Sequence, residues 1–205
     1  IKNFFSCKNP KDPIAEFFYV ISNLYSSEKD YRLSNFYLKI SLFLNNKFLT
    51  NRSLLAENFY YQNKIKESKN IYYSLKKIGA TYSWYASKNI ASILEIEEGK
   101  KSSIYSLEKD FNLLPNQSYE HYYELANFYK NKEYYKESIK YYSLVLKKIP
   151  KNHFLISKVL YRRGTSFERL GDWDSAEKDL IESLKILPDQ AHVLNYLAYT
   201  WVDRG

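Results

Sequence analysis

The residue types that most often do chemistry are scarce in this chain and poorly spaced for it. The three histidines are His121, His153 and His192, and none has another histidine or a cysteine three or four residues away. The single cysteine, Cys7, cannot form an intramolecular disulfide or a cysteine zinc site. Glycine-rich phosphate loops, nucleophile elbows and metalloprotease helices are absent from the sequence. We therefore predict no catalytic residues, no bound metal, no cofactor and no small-molecule substrate.

The clearest organisation lies in residues 157–190, which have the pattern of two packed helices. The large apolar residues of this segment are Leu160, Phe167 and Leu180. They have the spacing of a buried helical stripe. Gly164 and Ala176 lie between them and are small enough to let two antiparallel helices approach closely. The segment therefore predicts a helix–turn–helix unit.

Turn and cap residues mark the ends of these two helices. Gly171 should end the first helix, and Asp172 or Asp174 should cap the second, which Pro188 stops. The complete pattern resembles the tetratricopeptide repeat (TPR), whose period is about 34 residues. This resemblance implies an all-α, right-handed α-solenoid of antiparallel helix–turn–helix repeats.

The same register extends through the rest of the chain. In every upstream repeat, the two small-residue positions hold alanine or serine. Five whole repeats exceed the three or so needed to bury a continuous core. The predicted organisation is the end of a preceding element and a turn at 1–14, TPR units at 15–48, 49–83, 84–118, 119–156 (with an extended connection) and 157–190, and the first helix of a further unit at 191–205.

Two residues depart from the usual pattern. Arg163 occupies a position that is normally apolar, and we expect its stem to pack while its charged head reaches solvent. Asp110 occupies a position that normally holds a small residue. Both departures concern packing, so neither changes the predicted fold.

The resemblance also implies a binding surface. In TPR proteins the first helices line a concave groove, chiefly through positions 2, 5, 9, 12 and 13 of each repeat, and peptides or partner proteins bind there. At positions 5 and 9 the candidates here are Tyr19, Asn23, Ser53, Glu57, Lys88, Ser92, Tyr123, Asn127, Tyr161, Thr165, Asn195 and Tyr199. Tyrosine and asparagine offer amphipathic area and hydrogen-bonding groups to an extended chain. Tyr19 and Tyr123 replace the lysine that chaperone-binding members use to hold a terminal carboxylate, so we predict no such clamp.

Charge leaves two other functions open. The net charge is +8, and residues 1–156 carry +9 of charge against −1 in residues 157–205. A basic, tyrosine-rich face could bind RNA by phosphate contacts and base stacking. The segment could also be the regulatory arm of an enzyme whose catalytic domain lies elsewhere. A non-catalytic scaffold or adaptor for a protein or peptide partner remains the preferred interpretation, and we do not expect a nucleic-acid partner.

A second resemblance concerns the last quarter of the chain. The phrase LNYLAYTWVDRG is similar to one in long bacterial TPR proteins, some of which are exported adaptors associated with the outer membrane. It implies a periplasmic or outer-membrane-associated location as one possibility and a cytoplasmic one otherwise. The sequence has no transmembrane segment, and we expect it to be a fragment. Because helix 191–204 lacks a second helix, we expect Val193, Leu197 and Trp201 to be exposed or loosely packed.

Overall fold

The computed structural model describes residues 9–204, except for the side chains of residues 200, 203 and 204, and all of its regular structure is helical. Cys7 and most of the predicted N-terminal element lie outside the described residues. The chain divides into two compact bodies, Ile1–Leu114 and Pro115–Gly205, each of which is described by itself.

The N-terminal body contains three packed helix pairs in its described residues. In each pair the two helices pack against each other, and the second helix of the first and of the second pair also packs against the first helix of the next pair. The helices are α1 (Lys11–Ser27), α2 (Tyr31–Leu44), α3 (Leu49–Tyr61), α4 (Ile65–Leu75), α5 (Ala80–Glu98) and α6 (Lys100–Asn112).

The C-terminal body contains two further pairs and a fifth helix packed against the second pair. Its helices are α7 (Tyr119–Asn131), α8 (Tyr135–Lys148), α9 (Leu155–Arg169), α10 (Trp173–Ile186) and α11 (Ala191–Arg204). Tyr142, Val145 and Val159 join α8 to α9 in one core cluster. Leu180 joins α10 to α11 in another.

Three first helices begin earlier than the sequence register predicted. Helix α1 begins at Lys11 and includes Pro13, although the segment up to residue 14 was expected to be a preceding element and a turn. Pro13 is tolerated because the first-turn N–H groups of a helix have no intrahelical acceptor. Helix α5 begins at Ala80 and α9 at Leu155, a few residues before positions 84 and 157, where the register starts these two units.

The helix crossings use small residues, as predicted. A Cβ added to Gly164 would lie 3.2 Å from the Ala176 carbonyl oxygen and 3.2 Å from the Asp179 Cβ, so α9 and α10 touch at this glycine. In the N-terminal body, serines at the matching crossings also donate hydrogen bonds across the pair. Ser34 donates to the Ser22 carbonyl at 2.8 Å and Ser68 to the Ala56 carbonyl at 2.8 Å.

The turn inside each helix pair contains one residue in the left-handed backbone region. These residues are Lys29, Asn63, Gly99, Glu133 and Gly171, with φ between 60° and 92°. Two of them are glycines, which adopt this region without steric cost. Asp172 then caps α10 by accepting from the Ser175 amide at 3.2 Å. The sequence predicted the glycine turn and the aspartate cap of this pair correctly.

The expectation for Arg163 was wrong. Its guanidinium donates two hydrogen bonds of 2.7 Å to the carboxylate of Asp179 and a third, of 2.9 Å, to Ser143. Asp179 is buried in the α9–α10 crossing. A buried carboxylate is stable only with a charged or hydrogen-bonding partner, so the guanidinium turns inward to it.

The expectation for α11 was wrong for two of its three residues. Val193 is 0% and Leu197 5% exposed, because both pack against Leu180 and neighbouring α9 and α10 side chains, whereas Trp201 is 52% exposed. The first helix of a pair therefore buries one apolar stripe against the preceding pair. Leu194, Tyr199 and Val202 remain on exposed parts of this helix.

Candidate functional site

Four of the predicted groove residues come together in the N-terminal body. Tyr19 and Asn23 on α1 and Ser53 and Glu57 on α3 line one open cavity of about 420 Å³. Side chains of α5 complete its wall. Residues that lie 34 apart in the sequence become neighbours because the first helices of successive pairs stand side by side.

A second cavity, of about 340 Å³, also has Glu57 in its lining. Its lining residues are Glu57, Tyr60, Tyr61, Tyr72, Asn89 and Ser92. Ser92 and Lys88 were both predicted groove residues. Ser92 lines this second cavity, whereas Lys88 lines neither cavity. Glu57 is the residue that both cavities share, and it is half-buried between them.

Glu57 is held by Tyr85, which sequence reasoning missed. The Tyr85 hydroxyl donates to Glu57 Oε1 at 2.5 Å. Burial and the Glu57 carboxylate raise the pKa of Tyr85, so its hydroxyl keeps the proton that it donates at neutral pH. Tyr85, Tyr60 and Tyr61 stand at repeat positions 2, 12 and 13, which also face the groove in TPR proteins. Extending the candidate list from positions 5 and 9 to these positions would have found all three.

Two asparagines that line the cavities are anchored to the backbone of their own helices. Asn23 donates from Nδ2 to the Tyr19 carbonyl, and Asn89 donates from Nδ2 to the Tyr85 carbonyl, both at 2.9 Å. Each side chain therefore folds back over its own helix and keeps its Oδ1 to accept from a ligand. This face of the N-terminal body combines aromatic surface with hydrogen-bond acceptors.

The predicted groove residues on α7 have partners inside the C-terminal body. Asn127 Oδ1 accepts from the Tyr142 hydroxyl at 2.7 Å and from Arg162 Nη1 at 3.1 Å. Tyr123 lies against Tyr142, with ring centroids 6.2 Å apart. These two residues therefore contribute to packing between α7, α8 and α9.

Tyr161 and Thr165 line a separate cavity in this body, of about 240 Å³. The other lining residues are Lys130, Asn131, Tyr135, Arg169 and Tyr196. Asn195 and Tyr199, the predicted groove residues of α11, are exposed and do not line it.

Lys130 contributes a positive charge to this cavity. Its Nζ donates to the Thr165 hydroxyl and, at 3.2 Å, to the Arg162 carbonyl, and it lies 5.8 Å from the centre of the Tyr161 ring. Burial, helped by the positive charges of Arg162 and Arg169, lowers the pKa of Lys130 to about 8. A partly dehydrated cationic cluster of this kind can accept an anionic group.

The histidines have structural partners. His121 Nδ1 accepts from the Ser118 amide at 3.1 Å in the capping box of α7. His153 lies within 3.2 Å of the Tyr119 hydroxyl, and His192 packs edge-on against Tyr161. Among the described residues, no group of three or more histidine, cysteine, aspartate or glutamate side chains is placed to hold a metal ion. Over the same part of the chain, no helix has the length and apolar character needed to cross a membrane.

The basic residues do not gather at the two N-terminal cavities. Among the described residues, no lysine or arginine lines either cavity. Exposed lysines such as Lys39, Lys66, Lys101 and Lys140 lie instead on the second helices. Nucleic-acid binding through a basic groove is therefore not favoured, because such a groove needs cations along the path of the phosphates.

Comparisons with known proteins identify the fold. No family model matches the sequence, and no curated protein matches it either. Solved structures do match. YrrB, described as a TPR protein with an unusual peptide-binding site, is 18% identical, with a TM-score of 0.53 over 92% of this chain and 93% of its own. A thermophilic TPR protein of Thermus thermophilus is 10% identical, with a TM-score of 0.59 over 92% and 99% of the two chains.

A third similar structure is that of Pseudomonas aeruginosa PilF, 15% identical, with a TM-score of 0.55 over 92% of this chain and 83% of its own. At these identities the likeness concerns the fold alone. Together with the packed helix pairs of both bodies, it shows that this chain has the TPR fold predicted from its sequence.

Proposed function

We propose that this protein is a non-catalytic scaffold or adaptor that binds a peptide segment of a partner protein on its first helices. The observation that carries the proposal is the cavity that Tyr19, Asn23, Ser53 and Glu57 line together. These residues were selected by repeat position alone, yet they share one concave, partly aromatic surface. Concave sites with a few well-placed polar groups are the usual form of a binding site.

The chemistry of this cavity suits an extended peptide. The Tyr19 and Tyr82 rings offer apolar contact area, and the Asn23 amide oxygen can accept a backbone N–H. The Tyr19 ring is held by a neighbour, since it packs against Phe48 with centroids 5.1 Å apart. A site whose side chains are already ordered loses less entropy on binding.

A cavity-filling substitution tests the proposal. Thr50 is exposed on α3 and lines the cavity, so Thr50→Trp should fill it without removing a core residue. We expect peptides selected from a random display library by the 205-residue chain to bind Thr50→Trp at least about tenfold more weakly, or about 1.4 kcal/mol. Titration calorimetry would measure this affinity.

The matched control is Asn70→Trp, which adds the same ring to an exposed position on the second helix α4. We expect its peptide affinity to equal that of the unaltered chain. Equal affinity in Thr50→Trp and the unaltered chain would contradict the proposal, as would a library that yields no peptide ligand.

A further inference from the structure

The Glu57 carboxylate has no cation to match its charge in the described residues. The N-terminal body contains ion pairs such as Lys69–Glu97 and Lys76–Asp110, and Glu57 takes part in neither of these two. Its hydrogen-bond partner is the neutral hydroxyl of Tyr85. A half-buried carboxylate has lost part of its hydration, and one neutral hydrogen bond replaces only part of what it lost.

Aromatic residues line both of the cavities to which Glu57 contributes. Tyr60, Tyr61 and Tyr72 line the 340 Å³ cavity, and Tyr82 and Tyr85 line the 420 Å³ cavity. The face of a tyrosine ring attracts a cation that lies within about 6 Å of its centre. A cation bound to Glu57 could therefore gain further attraction from any of these rings whose face borders the cavity.

Two amide oxygens in the cavities can act as acceptors. Because Asn23 and Asn89 use their Nδ2 groups on backbone carbonyls, each keeps Oδ1 for a donor, one in each cavity. An ammonium group carries three N–H donors and a guanidinium five, and neither has an acceptor. A surface with a carboxylate, amide oxygens and aromatic faces matches such a ligand.

We propose that Glu57 and the tyrosines around it form a specificity site for a basic side chain, lysine or arginine, of the bound peptide. The site rests on the proposed peptide-binding function and adds the chemical class of the residue that is recognised. The cation would pair with the carboxylate oxygens and lie against the tyrosine faces, and its stem would occupy one of the two cavities. Arginine suits the site best, since its planar group can stack and bind a carboxylate through two donors.

The net charge of the chain works against this ligand at long range. A chain of charge +8 attracts acidic partners and repels basic ones, an effect that salt screens. Contacts inside a partly dehydrated site are screened less and decide which side chain is accepted. The site therefore predicts selection of a basic residue at one peptide position, and does not predict a uniformly basic partner.

A small cationic probe tests the site without a known partner. The probe is N-acetyl-arginine methylamide, and N-acetyl-citrulline methylamide is its uncharged counterpart of nearly the same shape. In ¹H–¹⁵N spectra of the whole chain, the arginine probe should shift the side-chain amide signals of Asn23 or Asn89. The citrulline probe should shift them at least about tenfold less at equal concentration. A lysine analogue tests whether an ammonium group is also accepted.

Glu57→Gln tests the source of the selectivity. Glutamine keeps the shape and still offers an oxygen to Tyr85, so the variant should fold, and its spectrum will report whether it does. We expect the preference for arginine over citrulline to disappear. Glu16→Gln is the control, because Glu16 is exposed on α1 and lines neither cavity. It should keep the preference.

The outcomes separate this inference from the proposed function. If peptides bind but neither charge nor Glu57→Gln changes binding, the specificity site is wrong and the groove proposal stands. If no peptide binds, but the arginine probe shifts the Asn23 or Asn89 signal in the unaltered chain and not in Glu57→Gln, the site stands and the peptide function fails. Equal shifts from arginine and citrulline would overturn the site in either case.

Discussion

At the scale of single residues, two charged side chains beside the cavities, Glu57 and Lys130, are held by neutral groups. Glu57 has a tyrosine hydroxyl, and Lys130 has a backbone carbonyl and a threonine hydroxyl. Arg163 and Asp179 show the contrasting arrangement, a paired charge at a helix crossing. Charges left without an opposite partner beside cavities are more typical of binding sites than of structural ion pairs.

The pKa of Lys130 gives a prediction about pH. Its pKa of about 8 in the folded chain lies below the ordinary value of 10.5, so the folded state loses the proton first as pH rises. The unfolded chain then binds more protons, and the free energy of unfolding should rise with pH above about 8. Between about pH 8 and about pH 9 the rise should be about 1 kcal/mol at most.

Urea unfolding followed by circular dichroism would measure this rise, and ¹³C spectra of the lysine ε-methylene group would give the pKa directly. Lys130→Gln should remove the rise, whereas Lys158→Gln, an exposed substitution on α9, should keep it. A Lys130 signal that titrates at the ordinary value of 10.5 would contradict the account.

The Arg163–Asp179 pair gives a prediction about stability. Arg163→Met would leave the Asp179 carboxylate buried without its two hydrogen bonds, and we expect a loss of about 3–5 kcal/mol in the free energy of unfolding. Adding Asp179→Leu to the Arg163→Met variant removes the buried, unpaired carboxylate. This second change should recover much of the lost free energy of unfolding. A double-mutant cycle by urea unfolding measures the coupling, and additive effects would show that the pair does not act as one unit.

At the scale of elements, the turns between paired helices follow one backbone rule with different residues. In all five described pairs the left-handed residue follows the last residue of the first helix by one or two positions. It is glycine in only two of them. The left-handed conformation costs a residue with a Cβ roughly 1–2 kcal/mol. The three other turns therefore contain strain that the packing of the pair overcomes.

Substitution by glycine should reveal this strain. We expect Lys29→Gly to raise the free energy of unfolding by about 0.5–1 kcal/mol, because Lys29 has a φ of 63°. The identical change at Lys39, exposed within α2, should lower it by about 1 kcal/mol. Thermal unfolding would show opposite shifts in melting temperature, and shifts of the same sign would refute the strain argument.

At the scale of the whole molecule, the repeat register predicted the fold because period and small residues are local signals. Gly164 and Ala176 meet at a crossing as their spacing indicated. The register could not reveal that Glu57 meets Tyr85, since that contact depends on side-chain directions across two helices, between residues 28 apart in the sequence. It also could not show that Arg163 turns inward, because the sequence does not show that Asp179 is buried.

The predicted groove residues have different surroundings for the same reason. Tyr19, Asn23, Ser53 and Glu57 share a cavity, as position numbers indicated. Asn127 stands at the same repeat position as Asn23 and Glu57, but its amide oxygen is taken up by Tyr142 and Arg162. Repeat position fixes which helix face a residue occupies, and its neighbours decide whether it is available to a ligand.

Mapping a bound peptide onto the chain shows directly whether it binds on the first helices. The probe is the peptide that the display library yields, added to the whole ¹⁵N-labelled chain. Binding on the first helices should produce signal changes that centre on α1, α3 and α5, with the side-chain amides of Asn23 and Asn89 among the largest. Changes that centre on the exposed faces of α2 and α4, around Phe36 and Phe43, with the α1 and α3 signals unmoved, would contradict it.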